Sequence, residues 1–124
     1  LRSIALFILI LNSAIVFGQF AEFSFDEKSV LKAEPLVEGE KLIYEWGFTN
    51  TGDSPLIITS YKVECPCTLV EYSKEPISPS GHSSIKLSFD SKDKIGWQYR
   101  KILLYANTKK GVEELEFRVK VINP

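Results

Sequence analysis

The chain has 124 residues, with 15 Lys and Arg against 16 Asp and Glu and a net charge of −1. So even a balance excludes the clustered basic surface on which nucleic-acid binding rests. Two cysteines exclude a disulfide framework, and a chain of this length buries a core without one.

The chain opens LRSIALFILILNSAIVFGQF. Arg2 supplies a positive start, Ile4 to Leu11 is an unbroken apolar run, and Val16-Phe17-Gly18 ends on a small residue. This pattern reads as a secretory signal peptide over residues 1–18, cleaved after Gly18. The run is shorter than the roughly 20 apolar residues that span a bilayer. An uncleaved N-terminal anchor is the alternative reading. No cysteine follows the run, so a lipoprotein anchor is not expected, and the opening Leu1 leaves the true start open. Removing residues 1–18 takes away Arg2 and no acid. Residues 19–124 are then expected to form a single domain. No second apolar span, internal repeat or low-complexity tract follows.

The rest reads as strands. AEFSF offers Phe23 and Phe25 to one face, and DEKSVLKAE is irregular or a short strand. KLIYEWGFTN alternates, with Leu42, Tyr44, Trp46 and Phe48 on one side and Lys41, Glu45 and Thr49 on the other. Period two with one apolar face marks a half-buried strand. In NTGDSP, Asn50 and Gly52 suit a turn with positive φ, and Pro55 stiffens the entry to the next strand. PLIITSYKVE is β-branched and nearly continuous, the pattern of a central strand. TLVEY reads as a short edge strand, and Pro76 and Pro79 frame a loop and guard a strand edge. SSIKLSFD turns Ile85, Leu87 and Phe89 inward. WQYRKILLYANT does so with Ile102, Leu104 and Ala106, and LEFRVKVIN with Leu115, Phe117, Val119 and Val121.

About seven short strands, with Gly39, Gly52, Gly81, Gly96 and Gly111 at the breaks, predict an all-β fold. The expected architecture is an antiparallel immunoglobulin-like β-sandwich. Trp46 and Trp97 are expected in or half in its core. Beside Gly96, Trp97 has the alternative role of stacking on carbohydrate.

Residues for catalysis are few. His82 is the only histidine and lies in SPSGHSS, near Ser78, Ser80, Ser83 and Ser84. A triad also needs a base held by a third group and an oxyanion hole, which this pattern does not suggest. His82 therefore reads as a solvated loop residue. Asp90-Ser91-Lys92-Asp93 offers too few ligands for a recognised calcium loop. No catalytic residue, cofactor or dedicated metal site is expected.

Cys65 and Cys67 flank Pro66 in KVECPCTLVEY. On a strand, residues two apart point to one face with Cα atoms about 6.6 Å apart, near the upper limit for a disulfide. A local turn shortens that distance, and Pro66 presets one. Such a bridge closes almost no loop and would add little stability. Three roles stay open: a local disulfide or buried thiol pair, a redox-active pair, and a soft-metal site for an ion such as Cu(I). A closed zinc site, which takes about four ligands, would need a second molecule. Export into an oxidising compartment favours the bridge.

Several motifs now stand in order. EGE (Glu38 to Glu40) comes first, then FTNTGDSPLIIT (Phe48 to Thr59) and CPCT (Cys65 to Thr68). PISPSG (Pro76 to Gly81), IKLSFDSKDKIG (Ile85 to Gly96) and KILLYANT (Lys101 to Thr108) follow. This order resembles the bacterial domain of unknown function 1573, over Glu38 to Thr108. The resemblance implies an exported bacterial protein with an immunoglobulin-like sandwich, similar to major-sperm-protein, ASH and PapD-like domains, and no established enzymatic activity. The chain departs from the family in having Pro66 where Gly is usual, and in stretching the Pro-Gly turn to Pro79-Ser80-Gly81.

The expected function is an exported, non-catalytic module that binds or scaffolds a protein or glycan partner in the bacterial envelope, periplasmic or secreted. It has no nucleic-acid partner and no membrane span after signal cleavage. Its expected binding loops carry Pro66 and Thr68, and Pro79, Gly81 and His82. The alternative is a thiol–disulfide or copper-handling protein that uses Cys65 and Cys67.

Overall fold

The computed structural model describes residues 20–124. The expected signal peptide, residues 1–18, lies outside the described residues. The described chain is all β, with nine strands in two sheets that share one core. The strands are β1 (Phe23–Phe25), β2 (Val30–Lys32), β3 (Leu36–Val37), β4 (Lys41–Asn50), β5 (Ile58–Val63), β6 (Thr68–Glu71), β7 (His82–Asp90), β8 (Gly96–Ala106) and β9 (Val112–Ile122). One sheet runs β1-β4-β7-β6. The other runs β2-β9-β8-β5, with β3 also on β9. This is the immunoglobulin-like sandwich that the sequence predicts.

The core follows from the alternation. Trp46 and Phe48 on β4 and Ile85, Leu87 and Phe89 on β7 are sealed from solvent. So are Ile102 and Leu104 on β8 and Leu115, Phe117 and Val119 on β9. The sheets meet where the Phe89 and Phe117 rings pack 5.2 Å apart. Each such side chain contributes about 1.5–3 kcal/mol by leaving water. A buried Trp also needs a partner for its N–H. Trp46 Nε1 donates to the Lys28 carbonyl at 3.2 Å, which ties down the crossing from β1 to β2.

Four expectations change. The strands number nine and not about seven, because the chain before β4 is broken into β1, β2 and β3. The sandwich is not wholly antiparallel, since β2 and β3 both pair parallel with β9. PLIITSYKVE is not central: β5 is an edge strand whose only described partner is β8. Its β-branched residues sit on an open flank, with a register shift between Ile58 and Ser60 and Lys62 exposed. Trp97 is not in the core but 58% exposed, because it stands on the outward row of β8. TLVEY forms the edge strand β6, as expected.

Candidate functional site

Between β5 and β6 the chain crosses from one sheet to the other, and Cys65, Pro66 and Cys67 make the corner. Thr68 N donates to the Cys65 carbonyl at 3.1 Å, which closes a β-turn with Pro66 and Cys67 at its centre. Neither central residue has positive φ. Proline at the first central position suits such a turn, so Pro66 replaces the family's glycine without conflict. The turn draws the two Cα atoms to 5.2 Å, well inside the extended spacing, with the sulfurs at the bonding distance of 2.03 Å. Cys67 N also donates to Cys65 Sγ at 3.2 Å, and Asp90 N donates to the Cys67 carbonyl at 3.0 Å. Cys67 packs against the core while Pro66 faces solvent.

The expected binding loops do not come together. Thr68 pairs with Phe89 at one end of β7, and His82 begins that strand at the other. At about 3.3 Å per residue, the intervening strand holds them roughly 20 Å apart. Thr68 is also 2% exposed, so its side chain cannot meet a partner. Its inward position on β6 puts it there. Pro66, Pro79 and His82 are exposed, and Gly81 is half-buried.

His82 is exposed but not merely solvated. Its Nε2 donates to the Asp26 carboxylate at 2.8 Å, across the outer face of β4. Gly47 lies beneath this pair, where a Cβ would strike Asp26 Oδ2 and come within 3.3 Å of the His82 ring. A lone glycine inside a strand pattern is the signal that marks such a crossing.

The residue that sequence reasoning missed is Asn50. It is fully buried at the end of β4, and all of its side-chain capacity is used. Its Oδ1 accepts from Glu22 N at 3.1 Å and Gly52 N at 3.0 Å. Its Nδ2 donates to the Ser54 carbonyl at 2.8 Å and the Ile77 carbonyl at 3.0 Å. The side chain thus joins the chain before β1, the β4–β5 loop and the β6–β7 loop. Neither Asn50 nor Gly52 has the expected positive φ. Gly52 is there for space, since a Cβ would lie 2.8 Å from both Ala21 Cα and Glu22 N. Asn107 clamps the same end, accepting from Ile57 N at 2.8 Å and donating to the Pro55 carbonyl at 2.9 Å.

The loop after β6 is closed by a turn in which Gly81 N donates to the Ser78 carbonyl at 2.7 Å. Pro79 and Ser80 take the central positions, and Ser80 carries a φ of 66°. That is the place where a Pro-Gly pair would put its glycine. At the opposite end, Glu38 Oε1 accepts from Asp93 N at 2.9 Å, and Ser91 Oγ donates to the Glu40 carbonyl. Asp90 Oδ1 accepts from Lys92 N at 3.0 Å. The Asp90 carboxylate therefore holds a turn, and the Glu38 carboxylate and Ser91 hydroxyl dock that turn on the Glu38–Glu40 segment. Among the described residues, no three His, Cys, Asp or Glu side chains gather as metal ligands.

Two sheets joined by chain crossings such as the Cys65–Cys67 corner, over loops pinned by asparagine, define an immunoglobulin-like sandwich. The chain belongs to the family described as "Protein of unknown function (DUF1573)", whose model matches residues 23–121. A comparison with curated proteins finds no match. A protein of unknown function from Porphyromonas gingivalis W83 superposes with a TM-score of 0.72 at 16% identity, over 86% of this chain and 50% of that one. The ASH / PapD-like domain 7 of human CEP192 gives 0.62 at 9% identity, over 86% of this chain and 87% of that one. The Vibrio cholerae VesB protease gives 0.60 at 15% identity, over 81% of this chain and 31% of its own. The chain thus spans half or less of the two bacterial proteins, and at these identities the likeness is one of fold.

Proposed function

We propose that the chain is an exported, non-catalytic immunoglobulin-like module that binds or scaffolds partners in the bacterial envelope. The observation that carries this reading is the open flank formed by β5 and β6. Each strand is paired on one side only among the described residues. The flank is held at one end by the Cys65–Cys67 corner and at the other by Leu56 and Ile77, whose backbones exchange hydrogen bonds at 2.8 and 2.9 Å. An unpaired strand edge on a rigid frame is the surface that an extended partner segment completes by adding a strand. The hydrogen-bonding side chains at both ends of the sandwich hold loops in place, which also favours binding over chemistry. Among the described residues, no helix is long and apolar enough to cross a membrane.

A second reading, thiol–disulfide or soft-metal handling, draws on one observation: a tight turn that places Cys65 and Cys67 together beside an exposed proline. Free-thiol titration of the natively exported protein, with mass spectrometry along a gradient of reductant, separates the two. The binding-module reading expects a pair that stays closed until the reductant is strong and that carries no metal. A pair that opens in mild reductant and takes up Cu(I) would establish the second reading instead.

A further inference from the structure

Large apolar side chains are normally scattered singly over a protein surface. On β8 they are consecutive outward positions of a strand inside a sheet: Trp97 is 58% and Tyr99 53% exposed, with Ile95 exposed just before them. The two rings lie 6.1 Å apart and nearly parallel, at an angle of 18°. Each stands beside a cation on β9. Tyr99 pairs with Arg118, and Trp97 with Lys120. Arg118 holds its guanidinium 5.8 Å from the Tyr99 ring centre, and Lys32 on β2 is the next residue across. Lys32, Ala33, Trp97, Tyr99 and Arg118 line a groove of about 220 Å³. Among the described residues, the one carboxylate bonded to this cluster is Glu116, 3.3 Å from Arg118 Nε. Lys32 and Lys120 form no ion pair among the described residues.

We propose that this face of the β2-β9-β8 sheet binds an acidic polysaccharide, a chain of uronate sugars. Sheet stability explains the Tyr99–Arg118 pair, since cross-strand neighbours of this kind stabilise a sheet by themselves. It does not explain an indole left more than half in water beside a second, parallel ring. An indole braced by the stacked Tyr99 ring suits the apolar C–H face of a pyranose. The cations that flank the two side chains suit carboxylates on the rims of the sugars, because a charge-assisted hydrogen bond is about twice as strong as a neutral one. The central strands that carry the platform are rigid, so little ordering opposes binding. The platform is on the outer face of the sheet and the proposed flank is its β5 edge, and the two surfaces stand or fall separately.

Affinity electrophoresis through gels that contain polygalacturonate, dextran or polyglutamate tests the proposal. Polygalacturonate should retard the protein, with dextran and polyglutamate at least about tenfold weaker. Trp97→Ala and Arg118→Gln should each weaken the polygalacturonate interaction about tenfold, the size expected of an aromatic or charged anchor. Ile43→Ala, on the outer face of the other sheet, should leave it unchanged. Thermal unfolding of the Trp97→Ala protein should match the parent, since the ring is exposed. No retardation by polygalacturonate would overturn the proposal, as would retardation that survives Trp97→Ala. Equal retardation by polyglutamate would reduce the face to a general anion surface. Self-association abolished by Trp97→Ala would assign it to a second copy of the chain, and either result overturns the proposal. Failure here leaves partner binding at the β5–β6 flank untouched.

Discussion

At Asn50 four hydrogen bonds converge on one side chain that water does not reach. An aliphatic residue there would leave the amides of Glu22 and Gly52 and the carbonyls of Ser54 and Ile77 in need of other partners. Each neutral bond contributes about 1 kcal/mol, and a buried group left unpaired costs about 1–3 kcal/mol. Asn50→Ala is therefore expected to destabilise the domain by about 3–4 kcal/mol in urea unfolding, with protease nicking in the β4–β5 loop. A loss under about 1 kcal/mol would show that water replaces the amide. Ser80 is the opposite case. Its φ of 66° suits glycine, and an L-residue there costs about 1 kcal/mol. Ser80→Gly should raise the unfolding midpoint by the equivalent of about 0.5 kcal/mol, part of the gain being offset by glycine's freedom in the unfolded chain. A lowered midpoint would mean that the Ser80 side chain has a role of its own.

At the scale of the element, the Cys65–Cys67 turn joins two edge strands, and its loop holds a single residue between the cysteines. A loop that small constrains the unfolded chain weakly, so replacing both cysteines by serine should cost no more than about 1–2 kcal/mol. Circular dichroism of the double variant should keep its β signal. The central strands β4, β7, β8 and β9 should exchange their backbone amides last, and β1, β2, β3, β5 and β6 first, since edges open locally. Uniform exchange across the sheets would contradict this layout. The four central strands were legible because their alternation is long enough to count. The pieces β2 and β3 are two or three residues each, and their parallel partner lies at the far end of the chain. Nothing local encodes such a pairing. β5 misled because a β-branched run reads alike in a central strand and on an edge, and only the neighbours decide.

For the whole molecule, the order of motifs predicted the family and the sandwich, because those motifs hold its ends. Glu38 and Glu40 dock the turn after β7, Asn50 and Asn107 clamp the opposite end, and the Cys65–Cys67 turn forms the corner. The site was less legible than the frame. Thr68 looked available and is buried, while Trp97 looked like core and is exposed, because both depend on which face of an edge or a sheet meets the second layer. The surface we propose for protein partners is the β5–β6 flank. Photo-crosslinking in the native envelope tests that claim, with the reactive residue placed in turn at Ser60 on β5, at Leu69 on β6 and at Glu114 on β9. The account predicts discrete adducts from Ser60 and Leu69, none from Glu114, and the same adducts when Cys65 and Cys67 are both serine. Adducts that vanish in the double-serine protein while its β signal survives would contradict it, and would place the function in the thiol pair.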